Sequence, residues 1–301
     1  MNTLKEYGKI TEDRLLKIIP ELPKNAFEIG RMPALLSESM RYSLLAGGKR
    51  LRPAMLLASC EMLGGDVSLA LDFACAIEMI HTYSLIHDDL PGMDDDDMRR
   101  GKPTNHVVFG VGQAILAGDG LLNMAFEVML QKALTAGSDM EKCVLAANEI
   151  ARAAGVTGMI AGQCADLYQE GRADGTEEML RYIHEGKTMA MFVGAMRAGA
   201  FLAGADEQAL HAITEYARAF GLLFQASDDV LDITADPALF GHSVGKDERD
   251  GKLTAVSVLT LEGAKARVEA LLQEAVDALK DFGAQADFFR SLADAVAHRD
   301  H

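Results

Sequence analysis

Apolar residues between Thr104 and Asp236 recur at steps of three and four, with almost no alternating pattern, and none of the seven prolines falls in that stretch. This is the period of helices, and the abundance of Ala, Leu, Met and Glu reinforces it. Short glycine or polar clusters interrupt the pattern at 47–50 (GGKR), 63–66 (LGGD), 135–139 (TAGSD), 170–176 (EGRADGT) and 202–206 (LAGAD). They predict turns between antiparallel helices. With no linker, repeat or composition shift, the pattern predicts one all-α domain over residues 1–301, built from about ten helices. Two helices predicted near 67–89 and 215–232 are apolar almost all round, which places them at the centre of a bundle. Both end in aspartates, and carboxylates there need partners or metal, because isolated buried charges are costly.

Composition changes this picture in one respect. The chain is 49% hydrophobic, as a globular protein is, but its net charge is −16. Such a surface repels nucleic acid and anionic membranes and excludes both as expected partners. The four cysteines, Cys60, Cys75, Cys143 and Cys164, lack close metal-type spacing and read as reduced core thiols. The start is charged, without an apolar stretch of signal-peptide length, and no uninterrupted apolar run approaches a membrane span. A cytoplasmic protein is expected.

The first acidic cluster, DDLPGMDDDD, places six aspartates within Asp88–Asp97; the second, DDVLD, runs from Asp228 to Asp232. Carboxylate oxygens suit hard divalent cations, and magnesium is often shared between one or two carboxylates, waters and phosphates. Asp228 and Asp232, one helical turn apart, share a face about 6 Å apart along the axis. Asp88 and Asp94 would diverge by about 240° on a continuous helix, but Pro91-Gly92 breaks it, so Asp94 can fold back. His81 aligns with Asp88 two turns earlier, and Gln225 aligns with Asp228, Asp229 and Asp232. Either acidic cluster alone also fits a solvated turn, and a lone core histidine is often just hydrogen-bonded structure. Cations flank the clusters: Lys49, Arg50 and Arg52 in GGKRLRP, Arg99-Arg100, Lys187 beside Thr188, Lys246 and Lys252. Arg and Lys beside flexible turns suit phosphate. They resolve the charge paradox, since an anionic substrate would meet local cations and metal on an acidic protein.

GGKRLRP, HTYSLIHDDLPGMDDDDMRRGKPT, GKT, FQASDDVLD and GKDERDGKLT, in this order from about Gly47 to Thr254, resemble the trans-prenyltransferases, most closely bacterial farnesyl diphosphate synthases. The His298-Arg299 ending is compatible. The resemblance implies an isoprenoid synthase-type helical bundle around a central cavity, usually a homodimer. It implies that Asp88, Asp94 and Asp228, supported by Asp89, Asp229 and Asp232, hold three Mg2+ ions around an allylic diphosphate. Arg99, Lys187 and Lys252 would bind that diphosphate, and Lys49, Arg52, His81 and Arg100 isopentenyl diphosphate. Thr188, Gln225 and the Lys187 carbonyl would face the allylic cation formed as diphosphate departs. The family often has lysine where this chain has His242 and an aromatic residue where it has Ala255.

The expected reaction is Mg-dependent head-to-tail condensation of isopentenyl diphosphate with dimethylallyl or geranyl diphosphate, giving farnesyl diphosphate. The family resemblance places an aromatic residue in farnesyl synthases five positions before the first aspartate, here Tyr83, as a floor that stops the chain at fifteen carbons. The helical wheel is less decisive, setting Tyr83 about 140° and Ser84 about 40° from Asp88. A geranylgeranyl diphosphate synthase is the alternative in the same class. A terpene cyclase shares the fold but lacks the isopentenyl site, against which Lys49, Arg52 and His81 speak. A non-enzymatic helical protein with acidic metal-binding patches would bind metal without preferring diphosphates.

Overall fold

The computed structural model describes residues 2–23, 27–234 and 251–299. The chain is almost wholly helical, as its apolar period predicts. The described elements are α1 (Leu4–Ile18), α2 (Ala34–Leu44), α3 (Leu51–Met62), α4 (Val67–Asp88), α5 (Asn105–Phe109), α6 (Val111–Thr135), α7 (Met140–Ala154), α8 (Met159–Gln169), α9 (Glu177–Ile183), a π-helical segment His184–Met189, α10 (Ala190–Ala203), α11 (Glu207–Thr234), α12 (Ala255–Ala278) and α13 (Asp287–Ala297). The five predicted turns all separate helices, with a 3-10 turn at Gly137–Asp139. One break went unforeseen, at 155–158, because its Gly-Val-Thr-Gly sequence looks helical apart from the glycines. A two-residue antiparallel hairpin, Met98–Arg99 (β1) with Lys102–Pro103 (β2), was also unforeseen, being too short to carry an alternating pattern.

Two compact units divide the chain. One comprises Asn2–Leu57 and Asp66–Ala147; the other comprises Ala58–Gly65 and Asn148–His301. In the first, α4 packs along α6, with α1 and α2 against them. Asp66 caps α4 by accepting the Ser68 N–H at 2.8 Å, which satisfies one of the amides a helix start leaves unpaired. Phe73, Ile77, Met79 and Ile80 of α4 are fully buried, each contributing about 1.5–3 kcal/mol of apolar transfer energy. Two acidic residues interrupt this apolar helix, and each has a cation. Asp72 meets Arg14 at 2.7 Å, and Glu78 meets Arg50 at 2.5 Å. Arg50 and Glu78 are 2% and 3% exposed. Stranding one charge of such a pair costs about 3–5 kcal/mol, so the pair ties the start of α3 to the centre of α4.

In the second unit, α11 packs against α10, α12, α13 and the π-helical segment, which also lies on α8. The Tyr216 hydroxyl on α11 donates to the Phe289 carbonyl at 2.7 Å, and Ser227 donates to the Val296 carbonyl at 2.9 Å. These bonds hold α13 beside the end of α11.

The cysteines are free thiols; Cys60, Cys75 and Cys143 are buried as expected, but Cys164 is exposed on α8. Val67–Asp88 and Gly137–Gln169 are long and apolar enough on average to cross a bilayer, although neither is an uninterrupted apolar run. In Val67–Asp88, 78% of the most apolar window is buried inside the protein, as in a core helix, and the second stretch is broken at 155–158.

Candidate active site

The first unit carries the first acidic motif. Helix α4 stops at Asp88, Gly92 adopts φ 96°, and the Asp94 N–H donates to the Asp88 carbonyl at 2.8 Å. The chain therefore folds back as Pro91-Gly92 predicts, and Asp94 returns to Asp88. Asp89 is buried, 3% exposed. Burial pushes its carboxyl up; Arg99 pulls the other way, and the negative charges of Asp96 and Asp94 add to the rise. Arg99 Nε donates to Asp89 Oδ1 at 2.8 Å. The hairpin thus delivers Arg99 to Asp89 and turns Arg100 back to donate to the Gly47 carbonyl.

These contacts collect the cations of GGKRLRP and RRG on one side of α4. The imidazole of His81 lies far below its ordinary pKa, first through desolvation and then through the positive charges of Arg52, Arg100, Arg99 and Arg50. It is a neutral ring in a cationic field, set within a protein of net charge −16. Such a field attracts an anion that can hydrogen-bond the ring. Lys49 is exposed beside this cluster in sequence, and Arg52 is half-buried. Tyr83 is 7% exposed, its ring edge-on to His87 with centroids 5.7 Å apart.

The second unit carries the second motif and its supports. Lys187 and Thr188 lie in the π-helical segment, a distortion common at functional sites. Glycines make room for it. A Cβ on Gly162 of α8 would meet the Lys187 nitrogen at 2.0 Å, and one on Gly221 of α11 would meet Met189 Cα at 2.6 Å. One turn beyond Gly162, Asp166 accepts from Lys187 Nζ at 2.7 Å. Sequence reasoning missed Asp166, although Gly162 and Asp166 stand four apart on one helix face. It also missed His184, whose Nε2 lies 3.4 Å from Asp229.

On α11 the three motif aspartates part company. Asp228 is 42% exposed and pairs with Arg299 at 2.7 Å; Arg299 also donates to the Phe224 carbonyl at 3.0 Å and stacks over the Phe224 ring. Asp229 is buried at 2% exposure and hydrogen-bonded to Gln225 and the Ala255 N–H. Asp232 and Lys252 line a cavity of about 560 Å³ that also touches Arg172, Gly175 and Thr254. The Ala255 departure leaves Asp229's bond intact, because the donor is a backbone N–H. His242 and Lys246 lie outside the described residues.

Among the described residues no three His, Cys, Asp or Glu side chains converge as a ready-made metal cage. The donor set nevertheless suits magnesium, which takes one or two carboxylates and completes its shell with water and phosphate. Asp88 with Asp94 in one unit, and Asp228 with Asp232 in the other, supply such oxygens. The Arg299 guanidinium on Asp228 shows that this carboxylate accepts a cation.

Aspartate motifs suited to magnesium, cations suited to phosphate and an all-helical scaffold fit a class of enzymes acting on diphosphate esters. A sequence profile of the polyprenyl synthetase family matches residues 33–293, and the chain belongs to that family. It is similar to the geranylgeranyl diphosphate synthase of Cyanophora paradoxa, 43% identical over 99% of this chain and 96% of that protein. It is 45% identical to the chloroplastic geranylgeranyl pyrophosphate synthase of Catharanthus roseus, over 90% of this chain and 76% of that one. Among solved structures, an FPP/GFPP synthase from Zymomonas mobilis superposes with a TM-score of 0.85 at 33% identity, covering 98% of this chain and 97% of that one. The chain is a prenyltransferase of isoprenoid biosynthesis with an isoprenoid synthase-type helical fold.

Proposed function

We propose that this prenyltransferase adds isopentenyl diphosphate head-to-tail to allylic diphosphates and releases geranylgeranyl diphosphate. The observation that carries the product is the near full-length match to the Cyanophora paradoxa geranylgeranyl diphosphate synthase. The relatives therefore favour the alternative over the farnesyl product expected from the resemblance to farnesyl synthases.

In this reading Lys49, Arg52, His81 and Arg100 hold the isopentenyl diphosphate, and the cationic field around His81 supports that assignment. Lys187, Lys252 and Arg99 hold the allylic diphosphate. Asp88, Asp94 and Asp228, with Asp232 and Asp89, would bind magnesium. When bound, the metal would neutralise charge on the departing diphosphate, lowering the barrier to an allylic cation. Thr188, Gln225 and the Lys187 carbonyl direct oxygen atoms toward that cation; the isopentenyl double bond attacks it, and the new cation loses a proton to the released diphosphate. No side-chain nucleophile is required.

Tyr83 favours the second reading, a farnesyl product. Its buried ring, held against His87, is a bulky obstacle on the helix leading to the first metal motif. Incubation with magnesium, dimethylallyl diphosphate and excess isopentenyl diphosphate, followed by chromatography, is expected to give a twenty-carbon product. A fifteen-carbon stop would overturn that reading and install Tyr83 as the floor, and Tyr83→Ala would then lengthen the product. Absence of any condensation product would remove the enzyme reading itself.

A homodimer is part of this proposal. Val107, Val111, Ile115, Leu116, Leu130, Leu134 and Val144 expose 41–71% of their surface on α5, α6 and α7. Exposed apolar side chains in this number are what an interaction surface needs. Light scattering is expected to report twice the 32.4 kDa chain mass, and Leu130→Glu with Leu134→Glu to yield monomers. A monomeric wild type would refute the dimer.

A further inference from the structure

Asp229 differs from its two neighbours in the second motif in what its oxygens meet. Asp228 and Asp232 are partly exposed, whereas Asp229 is 2% exposed. Its Oδ2 accepts the Ala255 N–H at 2.6 Å, at the first turn of α12, and lies 3.4 Å from His184 Nε2. Its Oδ1 accepts from Gln225 Nε2 at 3.0 Å. Gln225 Oε1 in turn accepts from the Thr188 hydroxyl at 2.7 Å.

The direction of this chain follows from chemistry. A carboxylate offers only lone pairs, so the end of Gln225 that faces it must be the NH2 group. The amide oxygen is then left facing Thr188, and the Thr188 proton must point at it. With its proton committed, Thr188 can present only lone pairs elsewhere. Lone pairs stabilise an adjacent carbocation; a hydroxyl proton aimed at it does the reverse.

We infer that Asp229 is a positioning residue rather than a metal ligand: held by Ala255 and His184, it sets the orientation of Gln225, and through it the direction of the Thr188 hydroxyl. This rests on the reading that Thr188 and Gln225 face the allylic cation. Asp229→Asn is the discriminating change. The Ala255 N–H selects the asparagine oxygen, which turns its NH2 toward Gln225. Gln225 must then offer its oxygen to Asn and its NH2 to Thr188, and Thr188 becomes an acceptor with its proton released toward the reacting face.

The expected result is a fall in kcat of roughly 10- to 100-fold, with the KM for the allylic diphosphate within about twofold of wild type. Mn2+ binding in the presence of inorganic diphosphate, read by electron paramagnetic resonance, is expected to be unchanged, whereas Asp228→Asn weakens it. In a Thr188→Val background, Asp229→Asn is expected to add little further loss, since the two act as one unit. If Asp229→Asn does not fold, His184→Gln loosens the same anchor and is read by the same three measurements. Mn2+ affinity lost as in Asp228→Asn would make Asp229 a metal ligand and overturn the inference. A kcat loss that stays fully additive with Thr188→Val would overturn it too. A wild type that forms no condensation product sinks the functional reading instead, and the Mn2+ measurement still decides whether Asp229 binds metal.

Discussion

Asp228→Asn, and separately Asp88→Asn, is expected to retain the fold and lose turnover by about 10²- to 10³-fold, because one carboxylate contact to a charge-stabilising metal is worth several kcal/mol in the transition state. Stability and activity should separate cleanly. In the first variant Asp228 is 42% exposed and Arg299 12%; the asparagine oxygen can still accept from Arg299, which also keeps its bonds to Ser227 and the Phe224 carbonyl, so the stability loss is expected to be about 1 kcal/mol. Asp88 sits at the end of α4, where its backbone carbonyl, which the substitution keeps, accepts the Asp94 N–H. Circular dichroism and melting should therefore stay near wild type while steady-state condensation collapses. Near wild-type turnover in either folded variant would remove that residue from the metal set.

Gly162→Ala should act in the opposite way, on the fold first. Its new methyl would sit 2.0 Å from the Lys187 nitrogen and 2.5 Å from the Gly186 carbonyl carbon. Backbone atoms cannot swing aside as a flexible side chain can, so α8 and the π-helical segment must separate. Overpacking of this kind costs about 1–3 kcal/mol and more where backbone must move, so a loss of about 3 kcal/mol is expected by denaturant unfolding. The Asp166–Lys187 bond spans the same crossing, so the folded fraction should also bind allylic diphosphate more weakly. Gly112→Ala is the control: its Cβ would meet nothing within 4 Å, and removing a helical glycine stabilises by up to about 1 kcal/mol. Equal melting of Gly162→Ala and wild type would mean the crossing is looser than described.

Part of the candidate site's local geometry is legible in the sequence. Asp88 and Asp94 were expected to come together through Pro91-Gly92, and the backbone bond between them does that. The resemblance assigns Lys49, Arg52, His81 and Arg100 to isopentenyl diphosphate and Arg99 to the allylic one; Arg52, Arg100, Arg99 and Arg50 all act on His81. The motif resemblance points to Lys187-Thr188, and it and the helical alignment point to Gln225; Thr188 and Gln225 are hydrogen-bonded to each other. Product length was not legible, because the aromatic at Tyr83 suggests fifteen carbons while the Cyanophora paradoxa and Catharanthus roseus relatives are geranylgeranyl diphosphate synthases.

What the sequence determined by itself is whatever depends on neighbours along the chain. Helix period, turn position, the end of α4 at its aspartates and the fold-back at Pro91-Gly92 all follow from local sterics and hydrogen bonding. Tertiary structure alone decided which polar groups meet across helices. Arg50 pairs with Glu78 from 28 residues away, Asp166 with Lys187 from 21, and Asp229 with the Ala255 N–H from 26. The three aspartates of DDVLD look equivalent as letters, yet Asp229 is enclosed by α12 and the π-helical segment while Asp228 and Asp232 are not. A side chain's own residue type fixes how many hydrogen bonds it can make; packing decides which partners are close enough to make them.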